Sequence, residues 1–214
     1  MKKLRILLAE DHRILREGLK RLIDEQPNME VVGEADDGSA AWEQTSQLQP
    51  DIVLMDVSMP RMNGAEATRK IKELSPEVKV IALTAHRASA YLTQMLKAGA
   101  MGYVLKHAAF NELADAITTV AKGGRYIDRA SQELMLNSPP ENIIWRGEPQ
   151  GKPLSEREIQ VISLVANGFT NKEIANKLAI SVKTVESHKA NSMQKLDLKS
   201  RADIVDYARF RGWI

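Results

Sequence analysis

Short apolar runs recur through the first half of this chain, each closed by a polar residue and separated from the next by a segment of helical period. Residues 4–9 run into Glu10 and Asp11, and residues 52–55 into Asp56. Residues 78–83 run into Thr84, and residues 101–105 into Lys106. Runs this short and this rich in Val, Ile and Leu read as strands buried on both faces of a parallel sheet. The spacing predicts strands near 4–9, 30–35, 51–56, 78–84 and 102–105. Helices are expected near 12–25, 38–48, 63–74, 88–98 and 109–121. Five βα units with right-handed crossovers make a doubly wound, three-layer α/β domain. In an open parallel sheet, ligands bind outside the carboxyl ends of the strands. Glu10, Asp11, Asp56, Thr84 and Lys106 therefore converge on one edge. Three carboxylates, a hydroxyl and an ammonium suit a divalent metal beside a phosphorylatable aspartate.

The rest of the 214 residues reads differently. Gly123 and Gly124 stop the last helix of the first domain, and Pro139, Pro140, Gly147, Pro149, Gly151 and Pro153 break any regular pattern. Residues 123–151 thus read as a linker between a domain at 1–122 and another at 152–214. Within the linker, Ile143, Ile144 and Trp145 are apolar enough to dock on a domain surface. From residue 151 onward there are 11 Lys+Arg against 7 Asp+Glu, whereas the preceding part is slightly acidic. A mildly basic module on a mildly acidic one fits a nucleic-acid-binding tail. The chain has no cysteine, which excludes disulfides and thiolate-bound zinc. No apolar stretch approaches the ~18 residues of a membrane span. The apolar run after Lys3 breaks too early for a signal peptide, so a cytoplasmic protein without membrane attachment is expected.

Four helix starts punctuate the last segment. Ser155 with Glu158 and Thr170 with Glu173 both fit the capping box, while Ser181 and Ser200 each precede an apolar run. Four short helices follow, with Ile159, Ile162 and Val165 facing the core from the first. Ile174 and Leu178 serve the second, and Val182, Val185, Ser192 and Leu196 the third. Only residues 179–181 separate the second and third, which is a helix-turn-helix arrangement. The outward face of the third helix then carries Lys183, Ser187, Ala190 and Gln194, with Thr184 and Glu186 beside them. Glu186 suits a cytosine amino group and Ala190 a thymine methyl. Lys183, His188, Lys189 and Lys195 suit phosphates.

These pieces carry a resemblance. Glu10-Asp11, Asp56 followed by Met59-Pro60 and Gly64, Thr84-Ala85, and Tyr103-Val104-Leu105-Lys106 resemble a response-regulator receiver domain of two-component signalling. Residues 152–214 resemble the LuxR-type helix-turn-helix effector, and the pair matches the NarL/FixJ family over nearly the whole chain. The resemblance implies a flavodoxin-like (βα)5 receiver followed by an all-α, four-helix DNA-binding domain. It implies a phosphoprotein in which Asp56 accepts phosphate from a sensor histidine kinase. It also implies Mg²⁺ held directly by Asp11, Asp56 and the backbone carbonyl of Ser58 and through water by Glu10, with Lys106 and Thr84 contacting the phosphoryl group. Tyr103 is the implied aromatic switch residue. Lys183, Thr184, Glu186, Ser187, His188, Lys189 and Ala190 are the implied contacts to double-stranded DNA.

A homodimer on phosphorylation is expected, with the face around Phe110, Leu113, Ile117 and Val120 as its candidate surface. RNA polymerase is a further partner in such a role. An enzyme is not expected: a dehalogenase-type phosphatase wants a second Asp two residues after its nucleophile, and Ser58 stands there. A receiver working without phosphate is the other alternative, and the complete acidic site argues against it.

Overall fold

The computed structural model describes residues 3–85, 89–136, 154–196, 198–211 and 213–214. The expected strands form as β1 (Leu4–Ala9), β2 (Met29–Ala35), β3 (Ile52–Asp56), β4 (Lys79–Thr84) and β5 (Gly102–Leu105), all parallel. The sheet order is β2-β1-β3-β4-β5-β6, where β6 (Tyr126–Ile127) is a sixth parallel strand beyond the five expected. The order reverses between β1 and β3, and that switch point is where doubly wound sheets open a crevice for ligands.

Alternate side chains of each strand enter opposite layers, the two-residue period of a strand. Leu7, Ala9, Val53, Met55, Val80 and Ala82 pack under α2 (Gly38–Leu48), α3 (Gly64–Leu74) and α4 (Ser89–Ala98). Ile6, Leu8, Ile52, Leu54, Ile81 and Leu83 pack under α1 (Arg13–Asp24) and α5 (Phe110–Ala121). Because both faces are covered, β3 is apolar at every position until its final Asp. Leu113, Ile117 and Val120 are buried in this second layer, which removes them from the candidate dimer surface and leaves Phe110 half-buried.

Part of the span read as a linker forms regular structure instead. β6 pairs Gly102 with Tyr126 and Tyr103 with Ile127, and α6 (Arg129–Leu136) follows it. Asp128 fastens this extension: its buried carboxylate accepts from Leu105 N at 3.1 Å and from Ser131 N and Oγ at 2.9 Å. The remainder of the expected linker, with Ile143, Ile144 and Trp145, lies outside the described residues.

The C-terminal part is helical, with α7 (Glu156–Ala166), α8 (Asn171–Leu178), α9 (Val182–Leu196) and α10 (Arg201–Phe210). Both capping boxes form, at Ser155–Glu158 and Thr170–Glu173. The core face differs in two places from the sequence reading. Val161, one turn before Val165, is fully buried where Ile159 is half-buried, and Val182, in the first turn of α9, is 37% exposed. The two parts of the chain meet at α4 and α10. Gln94 Nε2 donates to Tyr207 Oη at 2.9 Å, and the Tyr91 and Tyr207 rings meet edge to face at 5.8 Å.

Candidate functional site

Three connections at the sheet's carboxyl edge bring the expected residues together. β1 delivers Glu10 and Asp11, β3 ends on Asp56, and β5 runs into Lys106. Lys106 N donates to Thr84 O at 2.7 Å, so the ends of β4 and β5 are stitched beside the acids. The approach of α3 to β3 depends on Gly64. A Cβ there would sit 2.1 Å from the Asp56 carbonyl oxygen, and Gly64 N donates to Val57 O at 3.0 Å. Only glycine lets the helix start this close to the strand end.

The electrostatics are those of a largely buried acid cluster with the Lys106 ammonium among its carboxylates. Glu10 is fully buried and Asp56 is 2% exposed. Lys106 Nζ lies 2.8 Å from Asp56 Oδ2 and 2.9 Å from Glu10 Oε1, donating to both. It is also 2.9 Å from Glu10 Oε2, yet that oxygen accepts no hydrogen bond. Ser58 N donates to Asp56 Oδ1 at 3.2 Å. Burial, then the nearby Glu10 charge, push the Asp56 carboxyl up to about 7 against the pull of Lys106. Burial alone would lower Lys106, but Asp56 and Glu10 outweigh it and its affinity for the proton rises.

One ammonium is too little for three acids. Carboxylate oxygens of Glu10, Asp11 and Asp56, with a ring nitrogen of His12, all lie within 4.8 Å of one another. A hard divalent cation with oxygen ligands fits such a set, in which Glu10 Oε2 and Asp11 Oδ1 are buried atoms that accept no hydrogen bond. Thr84 and Tyr103 are buried beside this edge and hydrogen-bond each other. The Tyr103 ring is thus already packed inward, and desolvation raises its hydroxyl further above the ordinary tyrosine value.

His12 escaped the sequence reading, although it directly follows the acidic pair. So did the Asp37–Arg61 ion pair, which joins the start of α2 to the loop after β3. Arg61 holds a left-handed backbone there, with φ of 62°. Asp37 also caps α2 through Ala40 N at 2.8 Å, and these bonds outweigh burial to hold its carboxyl below the ordinary range.

At the helix-turn-helix, Ala179 takes a left-handed conformation with φ of 52° and ends α8. Ser181 Oγ then accepts from Thr184 N at 3.0 Å and starts α9. Val185 and Ser192 are buried against the other helices, while Lys183, Glu186, Ser187, Ala190 and Gln194 are exposed. His188 and Lys189 are half-buried at the edge of that face. Thr184 Oγ1 is 2.8 Å from Ser181 Oγ, so its hydroxyl is engaged in the cap. Lys195 differs from its expected phosphate role: its ammonium is 2.7 Å from Glu158 Oε2, inside the same domain.

Comparison with known proteins gives concordant results. Residues 6–118 match the response regulator receiver domain, and residues 152–208 match the bacterial regulatory proteins of the luxR family. The oxygen regulatory protein NreC of Staphylococcus carnosus is 42% identical over 209 residues, covering 96% of each chain. The structure of RcsB from Salmonella enterica serovar Typhimurium, bound to promoter P1flhDC with the phosphomimetic BeF3-, is 28% identical. It superposes with a TM-score of 0.81 over 98% of this chain and 100% of that one. A LuxR-family response regulator from Aurantimonas is 37% identical, with a TM-score of 0.61 over 64% of this chain and 98% of that one.

Proposed function

This chain belongs to the response regulators that join a receiver domain to a LuxR-type DNA-binding domain, and on that premise we propose that phosphorylation of Asp56 controls its binding to DNA. The observation that carries the proposal is the pairing of a buried aspartate with Lys106 at 2.8 Å, at the switch point of the sheet. The phosphodonor is a histidine kinase. An Asp56 oxygen attacks phosphorus, the P–N bond to the kinase histidine breaks, and an acyl phosphate forms. Lys106 and Ser58 N, both already on the Asp56 carboxylate, are placed to follow charge onto the phosphoryl oxygens.

The Asp56 carboxyl, raised to about 7, is only partly ionised near neutrality, so a cation at Glu10, Asp11 and Asp56 both frees the nucleophile and offsets the repulsion. Receivers as a family bind Mg²⁺ at such an acidic pocket, and we assign Mg²⁺ here to Glu10, Asp11, Asp56 and the Ser58 carbonyl. When bound, Mg²⁺ supplies positive charge against the transferring phosphoryl group. Thr84 exchanges its bond with Tyr103 for one with the phosphoryl oxygen, and Tyr103 carries the change outward as a shift in a pre-existing equilibrium.

The output is the exposed face of α9. Glu186 and Ala190 read base edges, while Lys183, Ser187, His188 and Lys189 contact phosphates and Thr184 lines the groove side of the cap. A phosphorylated homodimer sets two such helices on neighbouring half-sites. With double-stranded DNA as its target and RNA polymerase as a further partner, we infer a cytoplasmic location. No helix among the described residues is long and apolar enough to cross a membrane.

The test is intact mass after incubation with acetyl phosphate and Mg²⁺, beside Asp56→Asn. The wild type is expected to gain one phosphoryl group and bind DNA more tightly, and the variant to do neither. Equal labelling of the variant would remove Asp56 from the reaction.

A further inference from the structure

His12 stands at the N-cap of α1 but its side chain caps nothing. N-caps are ordinarily Ser, Thr, Asp or Asn, whose side-chain oxygens accept from the first-turn amides. The imidazole is turned back to the acids instead. Its Nδ1 is hydrogen-bonded to Glu10 Oε1 at 3.1 Å and lies 2.9 Å from Asp11 Oδ1. The backbone fixes the arrangement, since His12 N also donates to Glu10 Oε1 at 3.1 Å.

Those separations match neighbouring ligand atoms of one ion. In an octahedral shell with bonds of about 2.1 Å, adjacent ligand atoms sit about 3 Å apart. Two oxygens of the cluster accept no hydrogen bond: Glu10 Oε2, which has Lys106 Nζ at 2.9 Å, and Asp11 Oδ1, which has the ring Nδ1 at 2.9 Å. The ring edge away from the acids is open to solvent, with 73% of the side chain exposed. A cation among these atoms would take the place of the Nδ1 hydrogen, leaving the ring hydrogen on Nε2 and the Nδ1 lone pair on the ion.

We propose that His12 is a nitrogen ligand of the metal site, completing Glu10, Asp11 and Asp56 and tilting the site from Mg²⁺ toward Mn²⁺ and the later divalent ions. The proposal rests on the cation site assigned above and adds its selectivity. Oxygen donors suit Mg²⁺ and Mn²⁺ alike, whereas imidazole favours transition ions. Mg²⁺ prefers oxygen and keeps its waters, so His12 contributes least when Mg²⁺ is the occupant. The site would then respond to which divalent ion is abundant as well as to the phosphodonor.

The experiment uses the full chain and Mn²⁺. Electron paramagnetic resonance counts bound Mn²⁺ during titration and competition with Mg²⁺, and electron spin-echo modulation detects directly bound nitrogen. The wild type is expected to bind Mn²⁺ with a nitrogen coupling. His12→Gln should still bind Mn²⁺, lose the coupling, and drop its Mn²⁺-over-Mg²⁺ preference by at least about tenfold, the low end of what even outer-shell partners contribute. Circular dichroism checks the variant's fold, and His12→Asn repeats the measurement with a shorter side chain. Bound Mn²⁺ without nitrogen coupling, or coupling unchanged in His12→Gln, overturns the role of His12 and leaves the cation site standing. No Mn²⁺ on the wild type overturns both.

Discussion

At the residue scale one carboxyl group stands out, because the fold makes it hard to ionise. Asp56 is 2% exposed beside the fully buried Glu10, and its carboxyl is pushed up to about 7. In the unfolded chain an aspartate titrates near 3.9. Between roughly 4 and 7 the folded state therefore holds a proton that the unfolded state has released. Stability from this group is present at the acid end of that window and is lost as pH rises through it. The slope is about 1.4 kcal/mol per pH unit, up to about 4 kcal/mol across the window. In chelator, the wild type should lose that much stability relative to Asp56→Asn between pH 4 and 7, measured by denaturant unfolding. Adding Mg²⁺ should flatten the difference, since a bound cation offsets the charge. Parallel pH curves for the two proteins in chelator would show that Asp56 is not strained in this way.

At the scale of elements, short-range features set the frame and one long-range pair tightens it. Glu158 closes the capping box of α7 through Ser155 N at 2.7 Å, and the same carboxylate takes Lys195 from the end of α9 at 2.7 Å. Burial would raise Glu158, but Lys195 and Ser155 together hold it below the ordinary range. Glu158 is 4% exposed, so Lys195→Met leaves a buried charge with one partner fewer. The expected cost is about 1–2 kcal/mol, discounted because the lysine is partly exposed. In a Glu158→Gln background the same substitution should cost much less. Thermal unfolding of the four proteins gives the coupling, and additivity of the two changes would refute the pairing. The strand ends and both capping boxes could be read from sequence because each spans a few neighbouring residues with a fixed period. The Glu158–Lys195 bond joins positions far apart in sequence, and only packing of α7 on α9 brings them together. β6 was invisible for another reason: two residues carry no period, and its anchor is the distant contact of Asp128 with Leu105. The acids, Thr84 and Lys106 were legible because sheet topology assigns strand ends to one edge. The inward turn of the His12 ring was not, because no pattern encodes a rotamer.

At the scale of the whole molecule, the receiver and effector meet through α4 and α10. Tyr207 of α10 meets Tyr91 edge to face and accepts from Gln94. On the effector side it is braced by Trp213 at 5.7 Å and by Arg211, which donates to its hydroxyl at 3.0 Å. Such an aromatic pair is worth about 0.5–1.5 kcal/mol beyond burial, and the hydrogen bond a similar amount. Together they reach the 1–3 kcal/mol range of typical coupling between sites, small enough for the proposed phosphorylation of Asp56 to overcome. Gln94 is the place to test this, because it is half-buried on α4 and its side chain donates directly to Tyr207 of the effector. Gln94→Ala should move the balance toward separated domains by about 0.5–1.5 kcal/mol, roughly a two- to tenfold change in the ratio. The absence of native cysteine allows clean labelling. Spin labels at Ser46→Cys in the receiver and Asn176→Cys in the effector, both exposed positions, report the distance distribution directly. In the Gln94→Ala background the docked distance should lose population to longer ones, and phosphorylation of the parent protein should move it the same way. A distribution unmoved by Gln94→Ala would mean that the domains are held by other contacts. One that moves with Gln94→Ala but not with phosphorylation would separate this contact from the Asp56 switch.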